Sequence, residues 1–166
     1  MIKILFVCHG NICRSVMAEY MMRYFVQEQG IGTQFQIDSA AATTEEIGNE
    51  MYPPAKRKLE EKGIPYGNHR ARLVSPADYN LYDYIIGMDD ENMHDMNRIF
   101  TNDPDGKLHM MMSFAGQRDK GDKEDKKDKK DKYKSVSDPW YTRDFETTYQ
   151  DLYSGIQGLI SNALKE

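Results

Sequence analysis

Apolar positions open the chain in a short, nearly continuous run, Ile2, Ile4, Leu5, Phe6 and Val7, as expected of a strand buried on both faces of a parallel sheet. After Gly10 the pattern changes. Met17, Tyr20, Met21, Tyr24 and Phe25 follow helical spacing, with Ser15 where the first turn begins, and the pattern runs out near Gly30. The alternation then repeats. Phe35 to Ala41 predicts a strand, and Tyr52 to Lys62 a helix opened by Pro53 and Pro54 and closed by Gly63. Tyr82 to Met88 predicts a strand, Glu91 to Phe100 a helix, and Leu108 to Phe114 a fourth strand. Phe145, Tyr149, Leu152, Ile156, Leu159, Ile160 and Ala163 recur at helical spacing, so the chain ends in an amphipathic helix that covers one face of the sheet. Such alternation predicts an α/β fold with right-handed crossovers: a four-stranded parallel sheet flanked by helices on both faces.

With 166 residues, 39% of them hydrophobic, the chain suits one domain spanning residues 1–166. A formal charge of −5 and a pI near 5.4 argue against a general nucleic-acid binder. No apolar stretch approaches the roughly 18 residues of a membrane span. The opening apolar run is too short for a signal-peptide core, which leads us to expect a cytoplasmic protein. Cys8 and Cys13 are the only cysteines: too few for a disulfide framework or a structural zinc site. No metal site and no cofactor is predicted. One segment breaks the pattern. Residues 117–134 carry nine basic and six acidic side chains, a local charge of +3 that leaves −8 for the rest, with Tyr133 the only apolar residue. We expect a charged, solvated insertion. Its position after a strand, on the edge where open α/β folds place ligands, gives it an alternative role in shaping substrate choice.

The candidate chemistry lies between the first strand and first helix, in Cys8-His9-Gly10-Asn11-Ile12-Cys13-Arg14-Ser15. Five residues between Cys8 and Arg14 form an arc short enough to curl, with successive N–H groups pointing inward and the helix adding its free N–H groups and positive dipole end. Such a nest fits a tetrahedral dianion. Gly10 is expected to permit close backbone approach and positive φ, and Asn11 to tolerate the left-handed region. Arg14 supplies a planar fork for two phosphate oxygens. The same groups favour the thiolate of Cys8, which becomes a nucleophile aimed at phosphorus. A cysteine at a strand end is more often a small buried hydrophobe, and a C-x5-R spacing also arises by chance. The strand before, the glycine within and the Arg-Ser at the helix start shift the balance to catalysis. No Gly-Lys-Ser/Thr follows the glycine, so this is not a nucleotide-binding P-loop.

Together with Asp138-Pro139-Trp140-Tyr141, about 130 residues further on, this loop resembles the low-molecular-weight protein tyrosine phosphatases, and the resemblance covers the chain apart from the charged insertion. It implies that Cys8 is the nucleophile, that Arg14 binds substrate and transition-state oxygens, and that Asp138 protonates the departing phenolate and then activates water against the phosphocysteine. His9, Gly10, Asn11, Ile12, Cys13 and Ser15 complete the phosphate-binding loop, with the Ser15 hydroxyl on the thiolate. Asn11, Ser39 and His69 match a hydrogen-bond network that supports the loop, and Asp89 falls where the family also keeps a carboxylate. Tyrosine-phosphorylated proteins would be the substrates, hydrolysed without a cofactor.

The chain also departs from that pattern. His9 stands where an apolar residue is usual, its ring either lining the mouth or facing solvent, and Val16 stands where proline is usual. An aromatic wall of the substrate cleft in many animal members aligns with Glu45, whose carboxylate cannot stack on a phosphotyrosine ring. Trp140 and Tyr141 either line the cleft instead or pack against the sheet edge. Three rival functions resemble parts of the pattern. Thioredoxin-coupled arsenate reductases need further cysteines, and none follows Cys13. Protein-arginine phosphatases carry threonine where Ile12 stands. A redox-sensing phosphate-binding module would use a reversible Cys8–Cys13 disulfide, which in an enzyme shelters the nucleophile from overoxidation; such a module has no need of Asp138.

Overall fold

The computed structural model describes residues 1–116 and 133–165, so the charged segment expected at 117–134 lies outside the described residues except for its last two. In chain order the elements are β1 (Ile2–Cys8), α1 (Arg14–Glu28), β2 (Phe35–Ala41), α2 (Pro53–Glu61), α3 (Asp78–Leu81), β3 (Tyr84–Gly87), α4 (Asp90–Ile99), β4 (Leu108–Met110), α5 (Pro139–Thr142) and α6 (Phe145–Leu164). The four strands form one parallel sheet in the order β2-β1-β3-β4. β1 is central: Phe6 lies opposite Ser39 on one side and Ile86 on the other.

Buried on both faces, β1 sends alternate side chains to two cores. Ile4, Phe6 and Cys8 join a cluster with Met17, Met21, Leu59, Leu152 and Ile156 from α1, α2 and α6. Leu5 and Val7 join a smaller cluster with Val74, Tyr79, Met96 and Phe100 on the α3 and α4 side. Successive strands after β1 are laid down first on one side of it and then on the other. The carboxyl end of β1 is therefore the topological switch point of the sheet, where open α/β folds leave a crevice for ligands. No described helix is long and apolar enough to cross a membrane.

Two expected strands are shorter in the structure. The fourth stops at Met110, and Met111–Ser113 form a 3₁₀ turn instead of running on to Phe114. Ser113 Oγ donates to the Met110 carbonyl (2.6 Å), and buried Met111 and Met112 pass beneath α6. There Gly155 and Gly158 leave room: a Cβ on Gly155 would lie 2.8 Å from Met111 Cε. An apolar run gives no sign of such a buried turn, because hydrophobicity alone does not separate it from a strand. The third strand spans Tyr84–Gly87, not Tyr82 to Met88, because the Met88 N–H leaves the ladder to donate to Asn92 Oδ1 (3.0 Å). The single-turn helices α3 and α5 were not predicted, being too short for a hydrophobic period to register.

Candidate active site

Cys8 ends β1, and the next five residues curl back to the N-terminus of α1. Of the two loop residues expected to tolerate positive φ, Asn11 adopts it (φ 59°) and Gly10 does not. What Gly10 supplies is space, since a Cβ there would meet Glu46 Cγ at 3.1 Å. Asn11 is fully buried, and each of its polar groups has a partner. Its Nδ2 donates to Ser15 Oγ (2.8 Å) and Ser39 Oγ (2.9 Å), and its Oδ1 accepts from the Arg72 N–H (3.3 Å). Its carbonyl oxygen lies 2.7 Å from His69 Nε2 and its N–H 3.3 Å from Cys8 Sγ. Because Ser15 Oγ accepts from Asn11, its O–H is free to donate to Cys8 Sγ, 3.0 Å away. Cys8 Sγ therefore receives two hydrogen bonds, from the Asn11 N–H and the Ser15 hydroxyl.

His69 must donate its Nε2 proton, because a carbonyl only accepts. Burial is the main influence on its ring and lowers its pKa from the ordinary value; the bond to Asn11 works the other way and the Arg23 charge adds to the lowering. The network continues to Glu19, whose carboxylate accepts from Ser39 Oγ (2.6 Å) and pairs with Arg23 (3.0 Å). Burial raises the pKa of Glu19, opposed by the Ser39 hydrogen bond and the Arg23 charge. Glu19 was not predicted, nor was Arg72, held by Asp78 (3.1 Å) beside the loop. Ser15, Glu19 and Arg23 recur at i, i+4, a polar stripe on a helix whose buried positions are otherwise mostly apolar, and that stripe was the available signal.

Arg14 is 3% exposed. Its Nη1 donates to Asp89 Oδ2 (2.8 Å) and the Val136 carbonyl (3.3 Å), and its Nη2 to Asp138 Oδ2 (3.3 Å). Burial works against its charge, but Cys8, Asp89 and Asp138 more than offset that and hold it protonated. Asp89 itself is fixed as the N-cap of α4, accepting from the Asn92 N–H (2.8 Å). Asp138 caps α5 through the Trp140 N–H (3.1 Å). The strand-like segment before it is anchored at both ends. The Val136 N–H bonds the Met88 carbonyl (2.8 Å), and Asp151 of α6, also missed from the sequence, accepts from the Ser137 N–H (3.0 Å) and Lys134 Nζ (2.9 Å). Burial, with the negative charges of Cys8 and Asp138, raises the pKa of Cys13, which stays a thiol. That leaves Cys8, with the Asn11 N–H and the Ser15 hydroxyl on its sulfur, as the candidate nucleophile of the pair.

A cleft of about 130 Å³ brings together Cys8, His9, Gly10, Ile12, Cys13, Arg14, Asp89, Asp138, Trp140 and Tyr141, with Glu46 and Glu91 added to the expected residues. Asn11, Ser15, Ser39 and His69 stand behind it as the network just described. Glu45 is not among the lining residues; it reaches His9 instead, Oε2 to Nε2 2.7 Å. Trp140 lines the cleft and is braced from behind, its ring 5.1 Å from that of Tyr52 and 5.6 Å from the Arg143 guanidinium, which also donates to the Tyr52 hydroxyl (2.8 Å). Among the described residues no cluster of His, Cys, Asp or Glu is arranged to hold a metal.

A cysteine sulfur at the floor of the cleft that accepts an N–H and a hydroxyl, one buried arginine and an aspartate paired with that arginine form the constellation of a phosphohydrolase that works through a cysteine nucleophile. The comparisons make the class specific. The profile of the family described as "Low molecular weight phosphotyrosine protein phosphatase" matches residues 3–166. The human protein of that name is 35% identical over 152 residues, 89% of this chain and 87% of its own. The low molecular weight protein-tyrosine-phosphatase YfkJ of Bacillus subtilis is 32% identical over 166 residues, and its crystal structure superposes with a TM-score of 0.85, covering 99% of this chain and 96% of that one. The chain belongs to the low-molecular-weight phosphotyrosine protein phosphatase family.

Proposed function

We propose that this protein hydrolyses phosphotyrosine in proteins, and small aryl phosphates, through a phosphocysteine on Cys8. The observation that supports this most directly is the convergence of Cys8, Arg14 and Asp138 on one cleft, with Arg14 in contact with the aspartate and the Asn11 N–H on the sulfur. The Cys8 thiolate attacks phosphorus while the loop N–H groups and the Arg14 fork hold the three outer oxygens. The bond from phosphorus to the phenolic oxygen breaks, and that oxygen takes the proton of Asp138. Asp138, now a carboxylate, accepts a proton from water as the water attacks phosphorus. The phosphorus–sulfur bond breaks, inorganic phosphate leaves and the thiolate returns. Trp140 offers its face to the phenyl ring.

The test is hydrolysis of a nitrophenyl phosphate with and without vanadate and with a metal chelator. Inhibition by vanadate and indifference to the chelator are expected. Loss of activity on chelation overturns the reading. Capture of tyrosine-phosphorylated proteins on the Cys8→Ser protein then identifies the substrate. We assign the protein to the cytoplasm, where Cys8 and Cys13, both free thiols, stay reduced. Mild peroxide is expected to close a Cys8–Cys13 disulfide that thiol reductant reopens; mass spectrometry of the oxidised protein checks it, and its absence removes the redox role without touching the hydrolytic one.

A further inference from the structure

The residues around the cleft mouth are of two kinds. Trp140 and Tyr141 are aromatic. His9 of the phosphate loop stands between two carboxylates, with Glu45 Oε2 2.7 Å from Nε2 and Glu91 Oε1 3.7 Å from Nδ1. These come from three separate segments: the loop after β1, the loop after β2 and the first turn of α4. Both glutamates are largely exposed, 67% and 71% by side chain, so each keeps acceptor oxygens directed to solvent. Even a protonated His9 offsets only one of them. Glu46 also lines the cleft, and among the described residues that line it Arg14 is the only lysine or arginine, committed at depth to Asp89 and Asp138. The polypeptide that carries a phosphotyrosine has to pass over this mouth, because the phosphate reaches down to Cys8 while the main chain stays outside. We propose that the His9–Glu45–Glu91 arm is the specificity-determining element of this phosphatase, selecting lysine or arginine beside the phosphotyrosine and disfavouring acidic flanks.

The chemistry of the arm decides the sign of the selection. An exposed carboxylate gains a modest attraction from a lysine or arginine that approaches within about 4 Å and repels a second carboxylate at similar range. The aryl ring and the phosphate are common to every substrate, so discrimination between peptides falls to the groups at the mouth. His9 holds the two glutamates in place across the mouth, which lowers the rotamer freedom each has to lose when a substrate cation docks. The inference rests on the proposed phosphotyrosine activity.

The experiment compares kcat/KM for three phosphotyrosyl peptides of equal length, flanked by lysine, alanine or glutamate, at low and at high salt. The native protein is expected to prefer the lysine-flanked over the glutamate-flanked peptide about tenfold at low salt, and the ratio to shrink as salt screens the mouth. In the Glu45→Gln/Glu91→Gln double variant, which keeps the shape and hydrogen-bonding capacity of both side chains, the ratio is expected to fall to within about twofold. A His9→Leu variant, which frees both carboxylates, is expected to keep the sign of the preference. Equal kcat/KM for the three peptides, a preference for acidic flanks, or a lysine preference that survives intact in the double variant each overturns the inference while leaving phosphotyrosine hydrolysis standing. Failure to hydrolyse any of the three overturns the activity itself.

Discussion

The floor and the mouth of the cleft are built by opposite means. At the floor, Asn11 is buried in the left-handed region with every polar group bonded, and Cys8, Ser15, Ser39, Glu19, His69 and Arg72 are tied to it or to one another. At the mouth, Tyr141 is 81% exposed, and Glu45 and Glu91 touch little besides His9. A floor that must hold a dianion against the same N–H groups in every substrate tolerates almost no change in shape. A mouth that meets variable polypeptide has no such constraint, and there this chain has His9, Glu45 and Glu91. On the proposed reading, chemistry is set by the first region and choice of substrate by the second.

Substitutions at the floor should have the largest effects. Asp138→Ala is expected to slow phosphotyrosine cleavage by about 10² to 10⁴, and nitrophenyl phosphate less, because its leaving oxygen is a weaker base and departs with less help. Steady-state kinetics on both substrates give the ratio, and equal losses would make Asp138 a cap of α5 only. Arg14→Lys keeps the charge but not the fork that spans Asp89, Asp138 and substrate, so kcat is expected to fall by about 10² or more. Asn11→Ala is expected to cost about 1–3 kcal/mol in denaturant unfolding, from alanine at positive φ and the buried partners left behind, and to lower kcat roughly tenfold or more. An Asn11→Ala protein of native stability and activity would remove the contrast between floor and mouth.

At the mouth the effects should be smaller and fall on KM. Trp140→Ala is expected to raise KM for a phosphotyrosyl peptide about threefold to tenfold, and Tyr141→Ala by less, since Trp140 alone is braced by Tyr52 and Arg143. A subtler effect belongs to His69. Its folded pKa is lowered, so below about 6.5 the unfolded chain binds a proton that the folded one resists. Its contribution to stability is therefore complete above that pH and is lost as pH falls through the folded value. Urea titrations of the native and His69→Gln proteins between pH 8 and 5 should show the native one losing more stability on acidification.

The same contrast explains what the sequence made legible. The sheet and its four long helices were readable because their apolar periods are long, and the floor was readable because a backbone nest needs its glycine, asparagine, cysteine and arginine close together in the chain. Asp138 is remote, but its Asp-Pro-aromatic-aromatic setting marked it. The short third and fourth strands went astray where a side chain, Asn92, or the packing of α6 on Met111 and Phe114 takes over from local pattern. Arg72 and the Tyr52 brace lie far from both motifs, and although Glu19 and Asp151 follow the two motifs within ten residues, all four act by contacts that only the folded chain creates. His9 and Glu45 stood out in the sequence as departures; that they meet each other was not readable from positions 36 residues apart.

Phosphate is expected to pass through Cys8. With Asp138 as the proposed activator of water, Asp138→Ala should slow breakdown of the intermediate, so that variant can be mixed with nitrophenyl phosphate, quenched in acid within milliseconds, digested and read by mass spectrometry. One phosphoryl group is expected on the peptide containing Cys8, and none when Cys8→Ser is added. Phosphate on any other residue, or burst release of nitrophenol with no phosphorylated peptide, would contradict it.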